Sequence, residues 1–247
     1  APYKDELKAE FEKVLTSGRF ILGGSVEKFE QEFAGYNGRR FCSGVASGLD
    51  AITIALKSFE LEKGDEIIVP SNTFIATILS ILQNDLTPVF VEPDLSTYTI
   101  DPTLIEAAIT PKTKAIIVVH LYGKMCDMDP IVSICKKHNL KLIEDSAQAH
   151  GATYKNKKAG TFGDFGAFSF YPTKNLGALG DGGAIIYDDE KLHTPVLRLR
   201  NYGSDKKYFN EIVGFNSRLD EVQAAFLSVK LKDLDRVNEY KRKLASV

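Results

Sequence analysis

Lys141-Leu142-Ile143-Glu144-Asp145-Ser146-Ala147-Gln148-Ala149-His150-Gly151 is the stretch from which the rest of the chain is best read. Residues 141–144 have the length and apolar centre of a short strand, Asp145 stands at its C-terminal end, and a turn of small residues follows. In an open α/β sheet, ligands collect outside the carboxyl ends of the strands, so a carboxylate released there is placed for use. The rhythm repeats on both sides. Upstream, strands are predicted over 66–70, 87–91 and 115–120, with a helix over 73–83, and Asp101-Pro102 supplies an N-cap and a first helical residue. Asp129-Pro130 opens a helix through Lys137, and strands follow over 166–171 and 183–187. Nearer the N-terminus, Leu7, Phe11, Val14 and Leu15 repeat at helical spacing and close at Gly18, and helices are predicted over 25–34 and 47–59. Residues 217–244 read as one long helix. Strands alternating with helices predict an α/β fold with a mostly parallel sheet. Its ligand-facing ends are 70–74, 120–123, 145–151 and 171–174.

The composition removes several function classes. Among 247 residues, 31 basic side chains oppose 33 acidic ones, for a net charge of −2. That leaves no basic field, so nucleic acid is not an expected partner. The apolar run Ala115-Ile116-Ile117-Val118-Val119 stops at His120, far short of the roughly 20 residues of a membrane helix, so no membrane partner is expected. Cys42, Cys126 and Cys135 are odd in number and widely spaced, which suggests neither a disulfide framework nor a zinc site. His120 and His150 lack a further carboxylate or thiol at ligand spacing, so no metal is expected. Ala1-Pro2-Tyr3-Lys4-Asp5-Glu6 lacks signal-peptide character, and the expected localisation is cytoplasmic.

Three constellations carry possible chemistry. In Ser169-Phe170-Tyr171-Pro172-Thr173-Lys174-Asn175-Leu176-Gly177-Ala178-Leu179-Gly180-Asp181-Gly182-Gly183, a lysine follows a strand and precedes a glycine-dense turn. Lys174 is either a solvated surface cation or a lysine held against a flat cofactor as a Schiff base; the crowd of small residues suits the second. Asp145 is either a helix cap or a functional anion, and opposite a protonated pyridine nitrogen it would keep that ring cationic. Ser43-Gly44-Val45-Ala46-Ser47-Gly48-Leu49-Asp50 is either an ordinary helix start or an anion site built from free amides. The Gly177-x-x-Gly180-x-Gly182-Gly183 spacing is not the dinucleotide fingerprint, because it precedes a strand instead of opening a helix after one.

Five motifs in order resemble the sugar aminotransferases of the DegT/DnrJ/EryC1/StrS family. They are Ser47-Gly48-Leu49-Asp50-Ala51, Pro70-Ser71-Asn72-Thr73-Phe74, Glu144 to Gly151, Ser169 to Gly177, and Asn216-Ser217-Arg218-Leu219-Asp220-Glu221. The resemblance implies the three-layer α/β/α large domain of pyridoxal-phosphate transferase fold type I, with pyridoxal 5'-phosphate as cofactor. It implies a large domain over residues 1–231, with 232–247 starting the connection to a smaller C-terminal domain that is missing from the chain. Lys174 matches the Schiff-base lysine and proton shuttle, and Asp145 the partner of the pyridine nitrogen. Phe74 matches the aromatic stacked on the ring, and Gln148 the residue bonded to its phenolic oxygen. Ser169 matches a phosphate-binding hydroxyl, with the Gly48 and Leu49 amides at the same phosphate. Leu49 departs from the threonine many members carry, so only its backbone contact is implied. Asn216 matches an asparagine that reaches the phosphate from a neighbouring subunit, implying a homodimer with a shared active site.

Finer resemblances point to one branch. Leu176-Gly177-Ala178-Leu179-Gly180-Asp181-Gly182-Gly183, His120-Leu121-Tyr122-Gly123 and Asn201-Tyr202-Gly203-Ser204 are similar to members acting on nucleotide-linked 3-keto-6-deoxyhexoses. The implied reaction converts a dTDP-linked 3-keto-6-deoxyhexose to the 3-amino-3,6-dideoxyhexose, with glutamate as amino donor. A 4-keto-sugar aminotransferase is the alternative, and a non-catalytic sugar-nucleotide-binding regulatory protein is a third reading. The dehydratase branch carries histidine in place of the lysine, and here Lys174 is present. His150 and Tyr171 are candidates for contact with the sugar, or else packing residues.

Overall fold

The computed structural model describes residues 3–206 and 208–246. Strands β1 (Phe41–Val45), β2 (Glu66–Pro70), β3 (Thr87–Val91), β4 (Thr113–Val119) and β5 (Lys141–Asp145) precede a small hairpin, β6 (Thr153–Tyr154) and β7 (Lys157–Lys158). Strands β8 (Phe165–Ser169) and β9 (Gly183–Tyr187) complete the main sheet, ordered β1-β9-β8-β5-β4-β2-β3. Only β9 runs against its neighbours in that sheet; the pairs β8–β5, β5–β4, β4–β2 and β2–β3 are parallel. The mostly parallel sheet expected from the sequence is therefore present.

The helices are α1 (Lys4–Ser17), α2 (Gly24–Asn37), α3 (Gly48–Lys57), α4 (Ile75–Leu82), α5 (Pro102–Ile105), α6 (Met128–His138), α7 (Glu190–Arg200), α8 (Glu221–Leu231) and α9 (Leu234–Ala245). The strands are apolar on both faces because both faces are covered. Ile67, Val69, Ala115, Ile117, Ile143 and Ile185 pack against α3, Ile81 of α4, and Val196 and Leu199 of α7. On the opposite face, Ile68, Ile116, Val118 and Leu142 meet Ile131 and Ile134 of α6. Also on that face, Phe168 and Ile186 meet Phe29 and Phe33 of α2 and Leu227 of α8. The Phe33 ring packs edge-on to Phe168 and Phe170 at centroid separations of 5.0 and 5.4 Å, a favourable aromatic geometry. This is the three-layer α/β/α arrangement.

Two features differ from the sequence reading. Residues 217–220 are not helical, and the long predicted helix is broken at Lys232 and Asp233 into α8 and α9. The break lets α9 lie back on the domain, burying Leu234 and Asn238. The Asn238 amide donates to the His150 carbonyl at 2.7 Å and accepts from Asn175 at 2.8 Å. Strand β1 and helix α7 lie outside the predicted elements. The first is written Phe41-Cys42-Ser43-Gly44-Val45, and the second carries Pro195 inside it.

Candidate active site

Alternation along β5 sends Glu144 and Asp145 to opposite sides of the sheet, and the two carboxylates have different work. Glu144 is fully buried and gathers the loop before β8, accepting from the amides of Gly160 at 2.8 Å, Phe162 at 2.6 Å and Gly163 at 2.8 Å. His120 Nε2 meets Oε2, the oxygen that also accepts from Gly160, at 3.0 Å, while His120 Nδ1 accepts from the Cys126 amide at 3.3 Å. Burial pushes the Glu144 carboxyl up, but His120 and the Gly163 and Phe162 amides more than offset it, so the group titrates below the usual carboxylate range.

Asp145 is 8% exposed at the C-terminal end of β5. Its Oδ2 accepts from the Thr77 hydroxyl at 2.8 Å and its Oδ1 from the Ala147 amide at 3.1 Å. Burial nevertheless wins, and the carboxyl is pushed above its ordinary range despite those donors and the fields of His120 and Lys174. A carboxylate in that position is short of a cation.

Lys174 lies in the turn after β8, where its amide donates to the Tyr171 carbonyl at 2.9 Å. The chain then folds back so closely that a Cβ at Gly177 would stand 2.4 Å from the Pro172 carbonyl oxygen, and only glycine fits. Lys174 is half-buried, and its charge acts on both Asp145 and His150. At the start of α3, the Ser47 hydroxyl accepts from the Asp50 amide at 3.1 Å, which leaves the Gly48 and Leu49 amides ahead of the first helical bond. A Cβ at Gly48 would come 2.7 Å from Ser169 Cβ, so the helix entry and the serine at the end of β8 form one corner.

Gln148 belongs to the turn after Asp145. Its Oε1 accepts from the Tyr122 amide at 2.6 Å, which orients the side chain and leaves the NH2 group as its donor. Tyr122 can make this contact because its backbone is left-handed, with φ 53°. His150 is buried against Phe168 and Phe170, at ring separations of 5.3 and 5.9 Å. Burial and the Lys174 charge push it down to about 3, so it is a neutral imidazole at any physiological pH. Both ring nitrogens are buried, with the Ser169 backbone beside the ring. His150 and Gln148 line a cavity of about 1030 Å³ together with Tyr122, Asn175 and Asn238. Phe74, the N-cap of α4, is 72% exposed, and Tyr171 is 51% exposed. Asn216 lies elsewhere, lining a second cavity of about 500 Å³ with Ala46, Gly180 and Asp181. The neighbouring Ser217 hydroxyl accepts from the Ala46 amide at 3.0 Å and donates to Asp50 at 2.7 Å, tying this segment to the loop before α3.

This donor set fits pyridoxal phosphate. It offers a lysine, a buried carboxylate short of a cation, an exposed aromatic ring, an oriented amide donor, and a helix entry cleared of Cβ atoms beside a serine. Residues 2–247 match the DegT/DnrJ/EryC1/StrS aminotransferase family. The chain belongs to that family. Its aminotransferases depend on pyridoxal phosphate. The chain is 57% identical over 244 residues to the dTDP-3-amino-3,6-dideoxy-alpha-D-galactopyranose transaminase of Aneurinibacillus thermoaerophilus, covering 99% of this chain and 67% of that protein. Among solved structures, Streptomyces venezuelae DesV, crystallised with a ketimine intermediate, superposes with a TM-score of 0.93 at 48% identity, over 95% of this chain and 63% of that one. NtdA of Bacillus subtilis, solved with bound PMP, gives a TM-score of 0.90 at 38% identity, over 94% of this chain and 53% of that one. The chain thus spans about two thirds of the length of the curated relative and less of the solved ones.

Sequence reasoning missed two members of the site. Thr77 stands one helical turn after Thr73, in a segment already singled out, but nothing in the sequence says that this helix entry crosses over Asp145. The Tyr122 contact is made by a backbone amide, which side-chain motifs do not record. Among the described residues no cluster of three or more potential metal ligands occurs, and no helix is long and apolar enough to cross a membrane.

Proposed function

We propose that the protein is a pyridoxal-phosphate aminotransferase that converts a dTDP-linked 3-keto-6-deoxyhexose to the 3-amino-3,6-dideoxyhexose, with glutamate as amino donor. The observation that carries the aminotransferase reading is a lysine, Lys174, in the turn after β8 whose charge acts on Asp145 at the end of β5, a buried carboxylate whose donors Thr77 and Ala147 do not offset its desolvation. The transaminase name of the relative at 57% identity supports amination at carbon three.

When bound, the cofactor supplies an electron sink for the charge that develops at the amine-bearing carbon. Asp145 would hold its cationic ring nitrogen. Lys174 Nζ would take the proton from the amine-bearing carbon of the donor, and in the reverse half would deliver a proton to the sugar carbon. The Gln148 NH2 would donate to the phenolic oxygen, and Phe74 would supply a flat apolar face. The Gly48 and Leu49 amides and the Ser169 hydroxyl would take the phosphate, which suits the helix entry at α3. His150 and Tyr171 contact the sugar; Tyr171 is exposed and His150 lines the cavity beside Gln148. Asn216 completes the phosphate site of a second copy, making the enzyme a homodimer with shared active sites. The large domain ends at 231, in keeping with the helix break at Lys232 and Asp233. The three buried, unpaired cysteines suit a reducing cytoplasm.

The deciding experiment incubates the protein with pyridoxal phosphate, glutamate and a panel of dTDP-3-keto and dTDP-4-keto sugars, and locates the new amine by NMR. An amine at carbon three is the expected product. An amine at carbon four would replace this substrate with the 4-keto class, and a protein that takes up no cofactor would end the aminotransferase reading.

A further inference from the structure

Thr77 is fully buried, in the first turn of α4. A threonine inside a helix ordinarily returns its hydroxyl proton to the carbonyl one turn back. Thr77 instead donates to Asp145 Oδ2 at 2.8 Å. A hydroxyl has a single proton, so its 2.8 Å contact with the Thr73 hydroxyl requires Thr73 to be the donor there. The three groups form a directed chain, Thr73 to Thr77 to Asp145. With Oδ1 tied to the Ala147 amide at 3.1 Å, both carboxylate oxygens are held and the plane of the carboxylate is set.

We propose that Thr77, polarised by Thr73, is a positioning residue that aims and charges Asp145 for the cofactor nitrogen. The inference rests on the aminotransferase reading above and deepens it. Packing alone does not ask for a hydroxyl at this position, because valine has the same shape; what valine would lack is the donor to the buried Asp145 Oδ2. The same helix entry carries Phe74 as its N-cap, so one short element indexes both the aromatic face and the orientation of the carboxylate. Removing the hydroxyl leaves Asp145 with its burial and only the Ala147 amide as a hydrogen-bond donor among the described residues.

The test compares Thr77→Val, Thr77→Ser, Thr73→Val and Asp145→Asn in the intact protein, reading the dissociation constant of pyridoxal phosphate by equilibrium dialysis and the Tm of the apoprotein. Losing one hydrogen bond to a charged group weakens binding by about tenfold or more, so Thr77→Val loses at least that factor; its Tm falls too, because Asp145 Oδ2 is left buried without that donor, and the serine variant separates the hydroxyl from the packing. Thr77→Ser returns affinity to within about threefold, and Thr73→Val has a smaller effect of the same sign. Wild-type affinity in Thr77→Val, alongside lost affinity in Asp145→Asn, overturns the role of Thr77 and leaves the aminotransferase reading standing. Serine binding as weakly as valine also overturns it, since packing would then be the cause. Should the valine variant not fold, Thr73→Val decides, and wild-type affinity there sinks the proposal. Unchanged affinity in Asp145→Asn ends the reading of Asp145 itself, and this inference with it.

Discussion

Gly48 lies so close to Ser169 that any side chain at position 48 would meet the serine, with a Cβ only 2.7 Å from Ser169 Cβ and 3.3 Å from its Cα. The contact joins the first turn of α3 to the end of β8, so the free amides and the serine hydroxyl share one corner. Gly48→Ala must move one element off the other. The expected result is destabilisation by about 1–3 kcal/mol, as for overpacking elsewhere. Cofactor affinity should fall by more than the stability loss explains, because the amides no longer converge with Ser169. Thermal unfolding of the apoprotein and a cofactor titration separate the two, and an unchanged dissociation constant would show that this corner does not hold the phosphate.

Gln148→Glu changes one atom and tests donation. The Tyr122 amide at 2.6 Å still finds an acceptor, so the turn and its left-handed tyrosine survive. What disappears is the NH2 donor, replaced by an oxygen that repels a phenolate. The prediction is a folded, cofactor-binding protein with kcat/KM lower by about tenfold to a hundredfold, as for the loss of a hydrogen bond to a charged group. Wild-type turnover in that variant would remove Gln148 from the site.

Asp145 makes the apoprotein less stable than it could be. Its folded-state pKa is raised, so folding favours the protonated form, and the penalty for ionising it sets in as pH rises above the ordinary aspartate value of about 3.9. Asp145→Asn therefore raises the apoprotein Tm at neutral pH, and the gain shrinks as pH falls below that value. The same variant loses the cofactor. A scan of Tm against pH on both apoproteins checks the sign; a lower Tm for the asparagine form at pH 7 would refute it.

How much of the fold and the site is legible in the sequence follows the kind of interaction involved. The places of Lys174, in the turn after β8, and of Asp145, at the end of β5, are readable because strand ends and small-residue turns leave a pattern in one dimension. The α/β layering is readable because strands covered on both faces must be apolar throughout, as in Ile67-Ile68-Val69 and Ile116-Ile117-Val118. Strand β1 is hidden by Cys42, Ser43 and Gly44, which carry no strand signal; Gly44 lies so close to Leu219 that a Cβ there would stand 2.8 Å from it. Helix α7 is hidden by Pro195. The break between α8 and α9 follows from partners far away in sequence, Asn175 and His150, which hold Asn238. Thr77 and the Tyr122 amide belong to the same class: their roles come from how two elements cross.

Glu144 gives the last prediction, and it runs opposite to Asp145. Its folded-state pKa is depressed, so it contributes stability above the ordinary glutamate value of about 4.3, and that contribution is lost as pH falls through the folded value. The carboxylate accepts from three amides and meets His120 with both oxygens in use. In Glu144→Gln, the one remaining oxygen could satisfy the Phe162 and Gly163 amides, but the new NH2 group would then face the Gly160 amide, a donor against a donor. The substitution should cost about 3–5 kcal/mol, the range seen when one side of a buried charged network is removed. The loss should be constant from neutral pH down to about 4.3 and shrink progressively below it, as the wild-type carboxylate's own contribution is lost. Urea unfolding at pH 7 and at a series of pH values below about 4.3 measures the trend. A loss independent of pH would mean that shape, and not charge, is what Glu144 contributes to the loop over 160–163.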